Sequence, residues 1–236
     1  MDPYSWSWNP EALLVLPALT VAYVWALRRW PAPPWRVACF AAAIVLLLAV
    51  TITPIETIAM NYLLSVHLIQ NVVLAEWAPL LAVLGIPPAL ATLAPQVPPL
   101  PALALWVVNY GVWHLPWLYD AALRHPHSLL HLEHALYFVT GVLLWWPIVH
   151  GSLTSGVKAA YLFAAFLLAS PIGLVMALVP EAVYDFYVEG PGLWGLSPIV
   201  DQQIAGVSMA VAEAVVFFAA FAFFFARFFA EQDAAT

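Results

Sequence analysis

Seven long apolar segments constrain this chain more than any other feature of its sequence. An α-helix needs about 20 mostly apolar residues to cross the hydrocarbon core of a bilayer, where its backbone polar groups must be satisfied internally. Prolines and glycines at most of the joints end helical backbone. We predict an all-α integral membrane protein with one seven-helix transmembrane domain over residues 1–236. The predicted spans are roughly residues 11–29, 35–53, 57–84, 99–115, 128–149, 158–180 and 198–227.

The composition excludes an ordinary soluble domain. Hydrophobic residues make up 65% of the chain, charged residues 8%, and the mean hydropathy is +0.93, so there is too little polar surface to cover a water-soluble fold. Membrane lipid is therefore the expected surroundings. With a net charge of -7, no nucleic-acid partner is expected. The single cysteine, Cys39, excludes a disulfide framework and a CxxC metal motif.

The basic residues predict the orientation of the chain. With seven spans, five of the six basic residues fall on the side that carries the C-terminus, and Arg124 falls on the other side. Because cytoplasmic loops carry an excess of Lys and Arg, we predict an external N-terminus and a cytoplasmic C-terminus. The five residues are Arg28, Arg29, Arg36, Lys158 and Arg227.

Histidines are concentrated at the external end of the predicted fourth and fifth helices. Positions 127, 131 and 134 lie on one helical face, at i, i+4 and i+7. His67 on the third helix lies about 15 Å below its external end by helical rise. Neutral imidazole is a ligand for copper, zinc or iron, and ionisable groups inside a bilayer are expensive. We predict a metal site at His67, His131 and His134; hydrogen bonding between helices is the alternative, and the roles of His125 and His127 stay open. The concentrated residues are His114, His125, His127, His131 and His134.

Other polar or soft residues in the spans allow two interpretations. Gln70 and Gln202 could orient metal ligands or simply join neighbouring helices. Met209 lies at a depth similar to that of His67, so it could bind Cu(I) or fill space in the core. Glu76 and Glu213 are deeper, and the sequence indicates no partner for either.

Three segments of the chain resemble one known family. They are WHLPWLYDAALRHPHSLLHLEHALYFVTGVLLWWPIV at residues 113–149, SVHLIQNVVLAEWAPLLAVLGIP on the third span and SPIVDQQIAGVSMAVAEAV on the last span. Together they resemble the caa3-type cytochrome c oxidase assembly factors, the CtaG family, over about residues 65–216. Many members carry a second histidine where this chain has Asn71.

The resemblance implies a seven-helix protein of the bacterial inner membrane that is not an enzyme and that handles copper for a haem-copper oxidase. Its partners would be the oxidase subunits and an external copper chaperone. In this reading His67, His131 and His134 hold copper and His114 or Met209 completes the site. The alternatives are a copper transporter and a haem-binding membrane protein. The family's patterned polar positions are His67, Gln70, His114, Asp120, His131, Glu133, His134, Asp201 and Gln202.

Overall fold

The computed structural model describes residues 2–234, which form twelve α-helices and two π-helical turns. The π-helical turns are Val73–Trp77, between α4 and α5, and Pro126–Leu130, directly before α9. The helices are α1 Pro10–Arg29, α2 Pro34–Ile52, α3 Pro54–Asn61, α4 Leu64–Val72, α5 Ala78–Gly85, α6 Pro88–Ala91, α7 Pro99–Trp113, α8 Pro116–Arg124, α9 His131–Val149, α10 Ser155–Leu178, α11 Asp185–Glu189 and α12 Pro198–Asp233.

Six helices in this part of the chain are long and apolar enough to cross a membrane. They agree with the predicted class, an all-α protein that crosses the membrane several times. The last of them, α12, continues to Asp233, six residues beyond the predicted end of its span. The six segments are Ala12–Arg29, Pro34–Ile52, Leu64–Gly85, Pro126–Val149, Ser155–Leu178 and Pro198–Asp233.

The predicted fourth span corresponds to α7, a helix of 15 residues. At about 1.5 Å per residue this helix is roughly 22 Å long, shorter than the roughly 30 Å hydrocarbon core. A seventh membrane crossing therefore stays a prediction.

The predicted third span is wrong at its N-terminal end, because two helices replace one. Helix α3 ends at Asn61 and α4 begins at Leu64. Tyr62 and Leu63 between them leave the helical conformation, with φ and ψ of -131° and -50° at Tyr62. The break involves neither proline nor glycine, so the sequence carries no local signal for it.

The centre of the bundle is built from the third and fifth apolar segments. Within 18-residue stretches of Leu64–Gly85 and Pro126–Val149, 61% and 50% of the residues are buried, against 17% in Ala12–Arg29 and in such a stretch of Pro34–Ile52. Gly141 allows this close approach, because a Cβ there would overlap the carbonyl oxygen of Ala75 in the π-helical turn. Small residues of this kind let membrane helices pack closely. The polar residues described next lie on these central helices and their neighbours.

Candidate metal site

Three histidines from three helices converge in the buried interior. His67 lies on α4, His114 directly follows α7, and His134 lies on α9. The ring centroids of His67 and His134 are 6.1 Å apart, and the Tyr119 ring lies 5.1 Å from His67 and 6.1 Å from His114. The three histidines are 0%, 6% and 8% exposed, in chain order. We call His67, His114 and His134 the histidine cluster, and the end of the bundle that contains it the histidine end.

The hydrogen bonds of His67 fix which ring nitrogen carries its proton. The Tyr187 hydroxyl donates to the carbonyl oxygen of Ala59 at 2.6 Å. It lies 2.8 Å from Nδ1 of His67, and because its own proton is committed to Ala59 it must accept there. Nδ1 of His67 is therefore the donor, and in a neutral ring the Nε2 atom carries the free lone pair.

His114 reaches the same tautomer by a different contact. Its Nδ1 atom lies 2.8 Å from the carbonyl oxygen of Tyr110, one helical turn earlier. A carbonyl can only accept, so Nδ1 of His114 donates and its Nε2 carries the lone pair. Fixing one nitrogen by a hydrogen bond so that the other can bind a metal is the usual arrangement of histidine ligands.

The chemical type of the donor atoms in the cluster, though not their present positions, suits a metal ion that binds imidazole. Within residues 2–234, the Nε2 atoms of His67, His114 and His134 are buried and have no hydrogen-bond partner. Buried polar atoms are normally paired, so three unpaired ring nitrogens in one region require an explanation. Uncharged nitrogen donors suit copper and zinc. Among the described residues, however, no group of three or more His, Cys, Asp or Glu side chains is positioned to hold a metal ion without rearrangement.

The remaining predicted ligands lie around the cluster. His131, the first residue of α9, is half-buried, and its Nε2 lies 3.5 Å from the Asn9 amide nitrogen beside α1. Met209 is fully buried in the hydrophobic core on α12. His125 and His127 are exposed. The structure therefore places His67 beside His134 and packs the Tyr119 ring against both His67 and His114, whereas the His131 ring lies beside Asn9.

Two predicted supporting residues hold the helix that carries His67. Asp201 on α12 accepts from the backbone amide of Leu64 at 2.6 Å and from the Ser65 hydroxyl at 2.5 Å, and so caps the start of α4. Gln70, one turn beyond His67, donates to the Glu56 carboxyl on α3. Burial raises the pKa of the Glu56 carboxyl to about 8, although the bond from Gln70 lowers it. Both contacts fix the position of α4.

Two further supporting residues, Asp120 and Gln202, hold the segment that contains Tyr187. Asp120 accepts from the backbone amides of Asp185 and Phe186 at 3.1 and 3.2 Å and caps α11. Gln202 accepts from the amide of Val183 at 2.7 Å, in the segment before α11. Partial burial raises the pKa of Asp120, and its hydrogen bonds from the two backbone amides oppose this effect.

Glu133 on α9 directly precedes His134, and its carboxyl group lies 3.4 Å from the donating side-chain amide of Asn71.

Tyrosines around the cluster were not identified from the sequence. Tyr187 orients His67, and the Tyr184 hydroxyl donates to the carbonyl oxygen of His114 at 3.1 Å. Both lie in or beside α11, a helix of five residues. So short a segment shows no periodicity, and the tyrosines gave no signal of their own.

Comparison with known proteins identifies the family. The chain matches the family model of the cytochrome c oxidase caa3 assembly factor (Caa3_CtaG) over residues 21–231. No curated protein and no solved structure shows a significant match. The matched region contains the whole histidine cluster and each of its supporting residues. The chain therefore belongs to the caa3 cytochrome c oxidase assembly factor family.

Proposed function

We propose that this protein binds copper at His67, His114 and His134 and passes it to a haem-copper cytochrome c oxidase during assembly. Copper is the cargo in this proposal, and no residue has a catalytic role. The supporting observation is that the buried Nε2 atoms of His67, His114 and His134 have no hydrogen-bond partner within residues 2–234. Two of the rings are held in the ligand tautomer by Tyr187 and by the Tyr110 carbonyl. Family membership supplies the link to the oxidase.

Copper binding at this cluster requires the histidine side chains to move. The ring centroids of His67 and His134 are 6.1 Å apart, so one ion can bind both rings in this proposal after their side chains reorient. His114 follows the last residue of α7, so its backbone lies at a joint and is freer to adjust. Soft Cu(I) tolerates two or three nitrogen ligands.

We also propose seven crossings with the histidine end outside and the C-terminus in the cytoplasm of a bacterial inner membrane. Support comes from Arg36, Lys158 and Arg227, which line one cavity at the end of the bundle remote from the cluster. Cytoplasmic ends of membrane proteins are enriched in such residues. Reporter fusions after residue 236 test this: a cytoplasm-dependent reporter should be active, and activity of a periplasm-dependent one instead would reverse the orientation.

Metal analysis of the purified protein tests the copper site. We expect one copper per chain in the wild type and none in the triple variant His67→Ala, His114→Ala, His134→Ala. His150→Ala is the matched control, because this histidine lies at the other end of the bundle. The His150→Ala variant should therefore contain as much copper as the wild type. An absorption spectrum tests the haem alternative. A Soret band would show bound haem, with two histidines as its iron ligands, and would contradict the copper proposal.

A copper transporter is the second candidate, because two buried carboxyl groups lie beyond the histidines. Glu76 is fully buried on the π-helical turn, near Glu213 on α12. The Tyr110 hydroxyl donates to Glu213 at 2.7 Å. Intramembrane ionisable residues often mark ion routes. Deletion of the gene separates the two functions: assembly predicts an oxidase low in copper with normal total cell copper, whereas transport predicts that total cell copper falls.

A further inference from the structure

Two histidines outside the cluster, His127 and His131, form a graded series with His134 from the surface to the buried site. His127 is exposed on the π-helical turn before α9, His131 is half-buried at the first residue of α9, and His134 is 8% exposed. The seven positions from His127 to His134 correspond to about 10 Å along the helix axis. From His127 to His131 to His134, each histidine is therefore deeper along the helix axis and more buried than the one before it.

Neighbouring rings in this series lie within reach of one another. The centroids of His127 and His131 are 5.9 Å apart, and those of His134 and His67 are 6.1 Å apart. His131 and His134 lie three positions apart on α9, on neighbouring turns of one helix face, and both line the same cavity. An ion could pass between such rings by exchanging one ligand at a time, without losing all of its ligands at once.

A cavity joins the half-buried and the buried members. It has a volume of about 350 Å³, opens at the side of the bundle between α1 and α9, and is lined by both His131 and His134. Its other walls are mainly apolar and include Leu16 and Phe138. In surroundings of this kind a bare cation is costly, so polar side chains along the cavity determine where an ion can travel.

We infer that His127 and His131 are the loading path for copper, and that the ion moves from His127 to His131 to His134 before it reaches His67 and His114. This inference rests on the proposed function and adds the route by which the site fills. It gives His131 a transient role, since its ring lies beside Asn9 at α1 and away from the ring of His67.

The rate of copper uptake tests this path separately from the site. Purified protein in detergent is mixed with Cu(I) held by a coloured chelator, and the loss of the coloured complex is followed in time. His131→Ala should slow uptake about tenfold or more, while the final copper content stays at the wild-type value. His127→Ala should slow it less, because the ion can also reach His131 from solvent.

His125→Ala is the matched control. His125 is exposed beside the same π-helical turn, but it lies outside the series of neighbouring rings that leads from His127 through His131, so uptake should keep the wild-type rate. Wild-type uptake by His131→Ala overturns the path. Loss of equilibrium copper content in His131→Ala also overturns it, since His131 would then be a permanent ligand. Absence of uptake by the wild-type protein overturns the proposed function, and the path with it.

Discussion

The two ends of the bundle use their histidines in opposite ways. At the histidine end, the Nε2 atoms of His67, His114 and His134 have no hydrogen-bond partner within residues 2–234. At the other end, which we call the basic end after Arg36, Lys158 and Arg227, the Nε2 atom of His150 donates to the Val83 carbonyl at 3.0 Å. His150 therefore joins two helical segments, whereas the cluster keeps three donor atoms available.

The surrounding tyrosines differ in the same way. Tyr161 donates its hydroxyl to the carbonyl of Leu144 at 3.2 Å, which ties α10 to α9. The Tyr187 hydroxyl also donates to a carbonyl, that of Ala59. In addition, its oxygen accepts a hydrogen bond from Nδ1 of His67. Polar groups in a lipid-embedded bundle can therefore serve as interhelical contacts at one end and can orient a histidine ring at the other.

The largest expected effect separates the two kinds of histidine. His67→Ala should reduce copper affinity beyond detection, because it removes the ligand at the centre of the cluster together with its bond to Tyr187. His150→Ala should bind copper as the wild type does. Competition with a Cu(I) chelator of known affinity measures both. Equal affinities of the two variants would contradict the comparison.

The pH dependence of stability provides the second test. The Glu56 carboxyl has an ordinary pKa of 4.5, which burial raises to about 8. Between these values the unfolded chain holds fewer protons at this site than the folded chain, so stability is complete below about 4.5 and falls as the pH rises towards 8. Glu56→Gln cannot ionise. We expect this variant to gain on the order of a few kcal/mol over the wild type at pH 8.

Thermal unfolding in detergent at pH 5 and pH 8 measures this difference. The gain of Glu56→Gln should be clear at pH 8 and small at pH 5. Glu189→Gln is the control, because its carboxylate is exposed and paired with Arg124 at 3.0 Å. It should keep the wild-type dependence on pH. A gain for Glu56→Gln that is equal at both pH values would mean that Glu56 does not titrate between them.

The third test compares the two tyrosines. Tyr187→Phe removes the group that holds the His67 ring, and loss of such an outer contact typically costs roughly ten- to a hundredfold in metal affinity. Tyr161→Phe removes a hydroxyl of the same type at the basic end and should leave copper affinity unchanged. Chelator competition on the two folded variants measures the effect. If both variants lose the same affinity, the Tyr187 bond has no specific role.

The sequence predicted most of the helices because hydropathy and proline positions act locally. The break between α3 and α4 could not be predicted, because the residue that caps α4 is Asp201, 137 positions after Leu64. The composition of the site was also only partly predictable. The i, i+4, i+7 pattern groups His131 with His134, but α9 begins at His131 after a π-helical turn, and His131 faces Asn9.

His114 illustrates what a linear pattern omits. It follows the last residue of α7, and the turn to α8 directs its ring to the interior. Neither its contact with Tyr110 nor the packing of Tyr119 against two cluster rings has a signature in the spacing of residues. That several histidines lie in the membrane-spanning helices could thus be predicted from the sequence, whereas which of them lie close together required the tertiary structure, and that they bind a metal stays a prediction.

The smallest expected effect concerns the stability of the basic end. His150→Ala removes the bond from Nε2 to the Val83 carbonyl, a single hydrogen bond in a half-buried position. Such a bond contributes about 1 kcal/mol net, and water can replace part of it where the carbonyl becomes accessible. Thermal unfolding should therefore show a slightly lower midpoint than that of the wild type, and His150→Gln should recover part of the loss because its amide can donate to the same carbonyl. Copper content should remain at the wild-type value in both variants. A loss of copper in His150→Ala without a loss of stability would mean that the basic end also takes part in copper handling, and the contrast between the two ends would have to be abandoned.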